Sequence, residues 1–458
     1  MRRVLFACAL AFFACAGGAA AQSAPQPAPS PSAIPAGPQP PDPKSWGFGS
    51  FGGARTRLAE QGISFRGHYV AESAGNPIGG LQQGTAYASE LMLGADVDLA
   101  RAIPHSGLGT LHATFTEREG SSLSQNAIGN LLTVQEIYGD GLTPHVTELS
   151  YDQPFLRDAI DVSLGRIITE NDFADSSKYW GGAIYCDYQN NGICGTPIAA
   201  PVNSGYVAYP SSAWGVRVRG NPSKSVYLES GAYQVNTLYG TRGHGLSFGL
   251  AGDTGTYLPV EAGFLLNDAK GAMVGNVRFG GYYDTSVAKD PGSQLARFDP
   301  GDASLLNSLP TPSYRGRSGE WLQFDHLLSG GSGVHDPGVA FFASAEYGDP
   351  QTSLISFFGD AGVIRHGTFR GRPDDLVSLG YAYANINPRL RDIESLLESE
   401  GNTSVPITGQ EQMVEANYNV AVTPWLVLRP GAQYVFHPNG IATVKDALVL
   451  DLSTTISF

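Results

Sequence analysis

A two-residue alternation of apolar and polar side chains runs through most of this chain and limits what it can fold into. It is clearest at the end, in DALVLDLSTTISF, where Leu448, Leu450 and Leu452 alternate with polar residues such as Asp451 and Ser453. Successive side chains of a β-strand point to opposite faces, so this period predicts a strand with one apolar face. The same period recurs in GISFRGHYVAES, SELMLGADVDL, TLHATFTER, SAWGVRVRGN, YLPVEAGFLLN and NVRFGGYYD. The chain is therefore predicted to be all-β.

The first 45 residues differ from the rest of the chain. Arg2 and Arg3, an apolar run over 4–16 and small residues at 19–21 predict a secretory signal peptide, residues 1–21. Its apolar run is too short to cross a membrane. Residues 22–45 are rich in Pro, Ala, Ser and Gln, a composition that favours an extended spacer rather than a packed core. We expect an exported protein with a periplasmic spacer and one folded domain, residues 46–458.

Loop lengths distinguish the all-β architectures that could show this alternation. A β-propeller should repeat about every 40 to 50 residues, and no such repeat is visible. A β-sandwich domain would occupy only about 100 residues. Instead, short connections such as ARAIPHSG and PFLRDA alternate with long ones over 118–142, 169–211, 286–318 and 388–408. Short periplasmic turns and long external loops are typical of outer-membrane barrels. No run of 18 apolar residues follows the signal peptide, so transmembrane helices are not expected.

The number of strands follows from the position of the two chain ends. Seventeen segments alternate, and the weakest, HGLSFGLAGD, is interrupted by glycines. Treating it as a loop leaves a 16-stranded antiparallel transmembrane β-barrel, the even count expected of bacterial barrels. Long external loops then follow the third, fifth, seventh, ninth, thirteenth and fifteenth strands. Within 337–375, GDPQ is expected outside and RHGTFRGRPDD inside, and PRLRDIESLLESE predicts a short helix in an external loop.

The last strand has to pair with the first, because an open sheet edge is not tolerated in hydrocarbon. Its apolar face is expected to meet lipid and its polar face the lumen. Phe458 resembles the terminal signal of outer-membrane proteins, so the barrel-assembly machinery is an expected partner.

Charge and motifs exclude several functional classes. The formal net charge of −14 argues against nucleic acid as a partner, because phosphate binding requires clustered Lys and Arg. No catalytic or metal-binding motif is present, so we expect no cofactor, no metal and no enzyme, although a barrel-shaped enzyme stays open as an alternative. Cys186 and Cys194 lie close together in a Gly/Asn-rich segment, and an oxidising compartment favours a disulfide between them.

Ten segments in order carry a family resemblance. They are LAEQGISF (58–65), NPIGG (76–80), LGADVDLA (93–100), GTLHATFTEREGSSLS (109–124), GNLLTVQEIYG (129–139), TELSYDQPF (147–155), VSLGRIITENDFADS (162–176), YPSSAWGVRV (209–218), VEAGF (260–264) and RPGAQYVFHP (429–438). With these segments the chain resembles the carbohydrate-selective porins of the OprB type over nearly its whole mature length.

The resemblance implies a channel in the outer membrane of a Gram-negative bacterium that passes sugars by passive, weakly selective diffusion. Sixteen strands leave room for an aqueous lumen. The implied partners are mono- or oligosaccharides, outer-membrane lipid and lipopolysaccharide, and a homo-oligomeric assembly is left open. A general or anion-preferring porin of the same barrel type is the alternative.

Arginines on the lumen face are the main candidates for a sugar site, since a guanidinium donates parallel hydrogen bonds to neighbouring hydroxyl groups. Arg118 has lumen-facing parity and precedes a long loop, and Glu117 and Glu119 flank it. Glu117 is a further candidate for lining the pore. The alternative role of Arg118 is an ion pair at the rim. Arg217 and Arg219 also have lumen-facing parity. Their alternative role is to pair with carboxylates of the barrel wall, namely Asp96, Glu148 or Asp152.

Three further candidates are less regular. Arg166 matches a family position, but strict alternation places it on the lipid face, where an arginine costs about 2–4 kcal/mol at mid-depth. A bulge or a position at the rim is needed to accommodate it. Tyr179 and Trp180, in the long loop 169–211, could stack on a sugar or pack an infolded loop.

Overall fold

Sixteen antiparallel strands form a closed barrel in which each strand pairs with its sequence neighbours and the last returns to the first. The computed structural model describes residues 47–139, 142–156, 159–174, 186–194, 196, 198–269, 273–291, 313–330, 338–399 and 406–458. The predicted all-β fold and the strand number are confirmed. The expected signal peptide and the whole of the spacer lie outside the described residues.

The strands of the first half lie within 63–267, and those of the second half within 273–457. They are β1 (Ile63–Gly80), β2 (Gly84–Asp98), β3 (Thr110–Gly120), β4 (His145–Phe155), β5 (Ile160–Ile167), β6 (Ala213–Ser223), β7 (Val226–Val235), β8 (Gly255–Asn267), β9 (Met273–Lys289), β10 (Ser313–Gly330), β11 (Gly338–Gly348), β12 (Ile355–His366), β13 (Leu376–Ile386), β14 (Gln410–Thr423), β15 (Leu426–Phe436) and β16 (Lys445–Ser457).

Helical segments in the described residues are short and lie between strands or before β1. The α-helices are α1 (Ala54–Glu60), α2 (Leu99–Ala102), α3 (Ala199–Asn203) and α4 (Pro388–Ser399). Single 3₁₀ or π turns occur at Ser124–Ile128, Thr169–Asn171, Thr237–Gly240 and Pro438–Gly440. No helix among the described residues is both long and apolar enough to span a membrane.

Long connections follow β3, β5, β7, β9 and β13, as predicted, and the connections after even-numbered strands are mostly short. The connections after β1 (81–83) and β11 (349–354) are also short, and the one after β15 (437–444) is shorter than predicted. The β3–β4 loop (121–144), the β5–β6 loop (168–212) and the β7–β8 loop (236–254) lie at one rim, whereas 224–225 and 424–425 turn at the other. The segment HGLSFGLAGD forms no strand and lies in the β7–β8 loop, and α4 lies between β13 and β14, both as predicted.

The alternating pattern separates a lumen face from an outward face. On β16, Leu450 and Leu452 are 54% and 43% exposed, whereas Asp451 between them is 9% exposed. Outward side chains on the other strands are similarly apolar, for example Phe115, Leu164 and Val218. This is the apolar exterior and polar interior that a membrane barrel requires.

Phe458 secures the closing seam between β1 and β16. The two strands pair over most of their length, with Tyr69 opposite Ile456. Beyond the last strand residue, the Phe458 amide donates to the Gly67 carbonyl at 2.9 Å, and its ring lies 4.9 Å from that of Phe48. A Cβ on Gly67 would lie only 2.5 Å from the Phe458 ring. Glycine at position 67 therefore leaves the space in which the terminal ring packs.

Deleting Phe458, or changing Gly67→Val, should lower the fraction of chain that assembles, because each change removes the terminal ring from its contact. The measurement is the heat-modifiable folded band of outer-membrane fractions on unheated gels. Gly220→Val is the matched control, since a Cβ on this outward strand glycine meets no atom closer than 3.9 Å. Equal assembly of all three variants and wild type would contradict a role of Phe458 in closure.

Candidate functional site

Lumen-facing side chains of β1 to β6 form a continuous row of charges. We call it the charged ladder, and its members come from six adjacent strands. They are Arg66, Asp96, His112, Glu148, Asp152, Asp161 and Arg217. Each sits where the two-residue period turns a side chain inward, so neighbouring strands bring these groups side by side.

Arg66, on β1, contacts side chains of three other strands at the first end of the ladder. Its guanidinium pairs with Asp96, donates to Thr114 Oγ1 at 2.7 Å and reaches Glu148 Oε2 at 3.3 Å. The Arg66 and Asp96 side chains are about one-tenth exposed. A cation shared between two carboxylates is held firmly in place.

His112 and Arg217 continue the ladder across β3 to β6. The His112 ring lies 2.7 Å from Asp96 Oδ1 and 3.5 Å from Asp152 Oδ2. Arg217 donates to Asp161 Oδ1 at 2.7 Å and lies 3.1 Å from Asp172 Oδ1 in the β5–β6 loop. The His112 side chain is 21% exposed, and those of Asp152 and Asp161 are 26% exposed. This part of the wall is thus open to water in the lumen.

The β5–β6 loop folds into the barrel, where carboxylates of the inner wall hold its backbone. Four strands supply the acceptors, which the loop meets through main-chain N–H groups. Ala174 N donates to Glu261 at 3.0 Å, Ala200 N to Glu346 at 3.0 Å, Gly205 N to Asp284 at 2.7 Å, and Gln189 N and Asn190 N to Glu415 at 2.7 and 2.9 Å. A buried carboxylate that accepts N–H groups is stabilised while it fixes the loop.

The β3–β4 loop is anchored in the same way, by inner-wall side chains of β14 and β15. Glu411 accepts from Leu131 N and Leu132 N, each at 2.7 Å, and Gln433 Nε2 donates to Val134 O at 3.0 Å. Leu132 and Val134 pack in an apolar cluster against the inner wall. Two infolded loops therefore narrow the lumen, and the inner carboxylates that hold them are occupied by backbone.

Comparison with known proteins places this architecture in a family. The family model described as "Carbohydrate-selective porin, OprB family" matches residues 82–458. The chain belongs to the OprB family of carbohydrate-selective porins. It is therefore a β-barrel channel for carbohydrates in the Gram-negative outer membrane. Membership of this family indicates a channel rather than an enzyme.

Similar individual proteins agree with this assignment. "Porin B" of Pseudomonas aeruginosa is 29% identical over 427 residues, 90% of this chain and 91% of the relative. "Putative porin QuiX" of Acinetobacter baylyi is 26% identical and covers 91% of this chain and 93% of its own length. The high-pH structure of Pseudomonas putida OprB superposes with a TM-score of 0.82 at 28% identity, covering 91% of this chain and 99% of that one.

Arg118 of this porin lies on the lumen face of β3 but is largely buried. Its Nε donates to Glu90 Oε2 at 2.7 Å, and its guanidinium lies 5.1 Å from the centre of the Tyr209 ring. Tyr209 also donates to Glu90 at 2.7 Å. Arg118 thus forms its ion pair with Glu90 on β2, whereas the flanking Glu117 and Glu119 are exposed.

Glu117 does not line the pore, contrary to expectation. It follows Phe115 by two residues and is opposite Leu91 on β2, and both of these apolar side chains are exposed on the outward face. The two-residue period therefore places Glu117 on the outer wall, near the end of β3.

Arg217 and Arg219 both face inward and pair with wall or loop carboxylates. The Arg219 guanidinium lies 3.6 Å from the centre of the Tyr227 ring and 3.6 Å from Glu229. Arg217 pairs with Asp161 and Asp172, as described above. These ion pairs do not involve Asp96, Glu148 or Asp152, the carboxylates expected from the sequence.

Arg166 points outward and does not line the pore. Its strand neighbours Leu149 and Trp214 share the outward face, as strict alternation requires. The guanidinium donates to Ser247 O at 2.6 Å and lies 4.0 Å from the centre of the Tyr239 ring. The β7–β8 loop thus covers this cation from outside. Tyr179 and Trp180 lie outside the described residues.

Cys186 and Cys194 are both buried in this structure, and the disulfide expected between them stays a prediction. Cys194 Sγ donates to Glu136 Oε2 at 3.2 Å. Burial raises the pKa of Cys186 and holds that of Cys194 well above its usual range. Burial also raises the pKa of Glu136 to about 7, although the nearby Arg429 opposes this.

Members of the ladder were missed by sequence reasoning. Arg66, His112 and Asp161 each occupy a lumen position in an alternating segment, which is the signal that could have identified them. The anchoring carboxylates Glu411 and Glu415 have the same parity and could not have been told apart from pore-lining groups.

Cys186 and Cys194 should resist alkylation in the folded porin and both react after unfolding without reductant. The reason is that burial and raised pKa values suppress the reactive thiolate. Maleimide labelling followed by peptide mass spectrometry measures this at each cysteine. A linked peptide pair two hydrogens lighter than the dithiol would show instead that the bridge forms.

Glu415→Ala should release the β5–β6 loop while leaving the barrel closed. The change leaves the buried N–H groups of Gln189 and Asn190 without their acceptor, which destabilises the docked loop by about 1–3 kcal/mol. Because the loop then opens more often, Cys194 should be alkylated roughly fivefold faster or more. Glu320→Ala, on an exposed outward position of β10, is the control. Equal alkylation rates in the two heat-modifiable variants would argue against anchoring by Glu415.

Proposed function

We propose that solute crosses the lumen along the charged ladder, where mono- or oligosaccharides make weak contacts during passive diffusion. The supporting observation is exposure: His112, Asp152 and Asp161 retain a fifth to a quarter of their accessible surface. Arg118, Arg217 and Arg219 retain only a few per cent. The ladder therefore supplies the polar groups that a passing solute can touch.

The chemistry of the ladder suits hydroxyl groups. Its carboxylates can accept hydrogen bonds from sugar hydroxyls, and the Arg66 guanidinium can exchange a wall partner for a sugar oxygen. Each group already has a partner in the wall, so a sugar competes for bonds rather than filling an empty site. Weak binding of this kind allows a solute to enter and to leave again.

Charge disfavours the anion-preferring alternative. The ladder contains four carboxylates, Asp96, Glu148, Asp152 and Asp161, against the two guanidinium groups of Arg66 and Arg217. The chain as a whole carries a formal net charge of −14. An anion would be repelled by this wall, whereas a neutral sugar pays no such cost.

Both relatives described above are named as porins, which supports a channel role. We propose no catalytic activity for this chain. The outer wall would contact outer-membrane lipid and lipopolysaccharide, and Phe458 would be read by the barrel-assembly machinery. A liposome-swelling series that compares mono-, di- and trisaccharides with amino acids of similar size measures the preference for sugars and the size limit. Equal rates for sugars and amino acids would favour a general porin.

Arg66→Ala should weaken sugar-induced block of the current through a planar bilayer by roughly fivefold. The loss of one solvated hydrogen-bonding contact is worth about 1 kcal/mol. Arg66→Lys keeps the charge but loses the planar fork, so it should restore ion selectivity better than sugar block. Arg118→Ala should have a smaller effect, because the Tyr209 ring covers that guanidinium.

The control is Arg101→Ala, because the Arg101 side chain is 59% exposed on the short turn between β2 and β3. It should leave block unchanged. If Arg66→Ala and Arg101→Ala both bind sugar as the wild type does, the ladder is not the sugar path.

A further inference from the structure

The β7–β8 loop lies against the outer wall of the barrel rather than over its mouth. Val146 N donates to Gly245 O at 2.9 Å, and Trp214 Nε1 donates to Phe248 O at 3.3 Å. Val146 is in β4 and Trp214 is on the outward face of β6. Residues 245–251, which we call the outer strap, therefore run across the external ends of several strands.

Carbonyl groups of the outer strap are hydrogen-bonded to the wall at Arg166 and to other residues of the same loop. They accept hydrogen bonds from Arg166 at Ser247 and from Tyr239 at Gly249, at 2.6 and 2.8 Å. The Ala251 carbonyl accepts from Asn236 Nδ2 at 2.9 Å. These bonds satisfy the backbone of the strap and cover the outward-facing Arg166.

Alternate side chains of the strap are apolar and exposed. Leu246, Phe248 and Leu250 are 52%, 47% and 67% exposed. The alternation that made HGLSFGLAGD look like a strand thus produces an apolar row outside the sheet. A row of large apolar side chains on the outside of a protein marks an interaction surface.

The barrel wall beneath the strap is formed by β5, which is short for a membrane-spanning strand. Strand β5 has 8 residues, fewer than the roughly 9–11 that a membrane-spanning strand needs. At a rise of about 3.3 Å per residue and a tilt of about 40°, it spans about 20 Å against an apolar band about 25 Å tall. Its outward apolar residues end at Leu164, because Arg166 is the next outward position.

We propose that the outer strap completes the lipid-facing belt above β5 by inserting Leu246, Phe248 and Leu250 among the acyl chains of the outer leaflet. The row continues the established lipid face of Leu149, Leu164 and Val216 towards the external rim. The strap thereby keeps the Arg166 guanidinium away from hydrocarbon. A second copy of the chain is the competing occupant of this row.

Site-directed spin labelling in lipid bilayers tests the proposal. Cysteine is introduced singly at Leu246, Phe248 and Leu250, and at Arg242 and His244, which are exposed polar positions of the same loop. Collision with oxygen, which concentrates in hydrocarbon, is compared with collision with a water-soluble nickel chelate. Wild type labelled in parallel measures any signal from the buried Cys186 and Cys194.

The oxygen-to-nickel ratio should be severalfold higher at 246, 248 and 250 than at 242 and 244. Equal ratios at all five positions would place the strap in water and overturn the proposal. Low collision rates with both reagents at 246, 248 and 250 would mean that protein covers the row, which would overturn lipid contact in favour of a second copy. Heat modifiability confirms that each labelled protein is folded.

Discussion

Backbone hydrogen bonding in hydrocarbon is the constraint on which this structure depends. An unpaired N–H or C=O group cannot be solvated there, so the sheet has to close on itself. Closure joins β1 to β16, and the terminal amide of Phe458 adds one more bond at Gly67. A closed sheet has one inside and one outside. The strict alternation of side chains follows, and it places the charged ladder on six adjacent strands.

The inner carboxylates divide into two kinds that perform different tasks. Glu261, Glu346, Glu411 and Glu415 accept backbone N–H groups from infolded loops, so they shape the lumen without facing it. Asp152 and Asp161 pair with cations and remain accessible. Accessibility, rather than charge or parity, separates the groups that can meet a solute from those that hold the protein together.

Much of the fold could be predicted from the sequence because alternation is a local property. It correctly indicated which side of the sheet Asp451, Leu450, Arg217 and Arg219 occupy. The partners could not be predicted, because they depend on register and on distant loops. Arg118 meets Glu90 through the register of β2 and β3 and is covered by Tyr209 from a loop about ninety residues later.

Arg166 and the two cysteines also have contacts that a local sequence pattern could not predict. Parity placed Arg166 outward, but its cover comes from Tyr239 and Ser247, which no local pattern connects to it. Cys186 and Cys194 are neighbours in the sequence, but their spacing gave no sign that their loop packs against Glu136. Loop placement is a collective result of many anchors, and no single segment encodes it.

The anchors of the β5–β6 loop also imply an order of assembly. Its acceptors belong to β8, β9, β11 and β14, all of which follow the loop in the chain. Contacts over such long sequence separations form late, since each requires the intervening chain to be in place. A barrel that closed before this loop docked would therefore have a wider lumen than the mature channel.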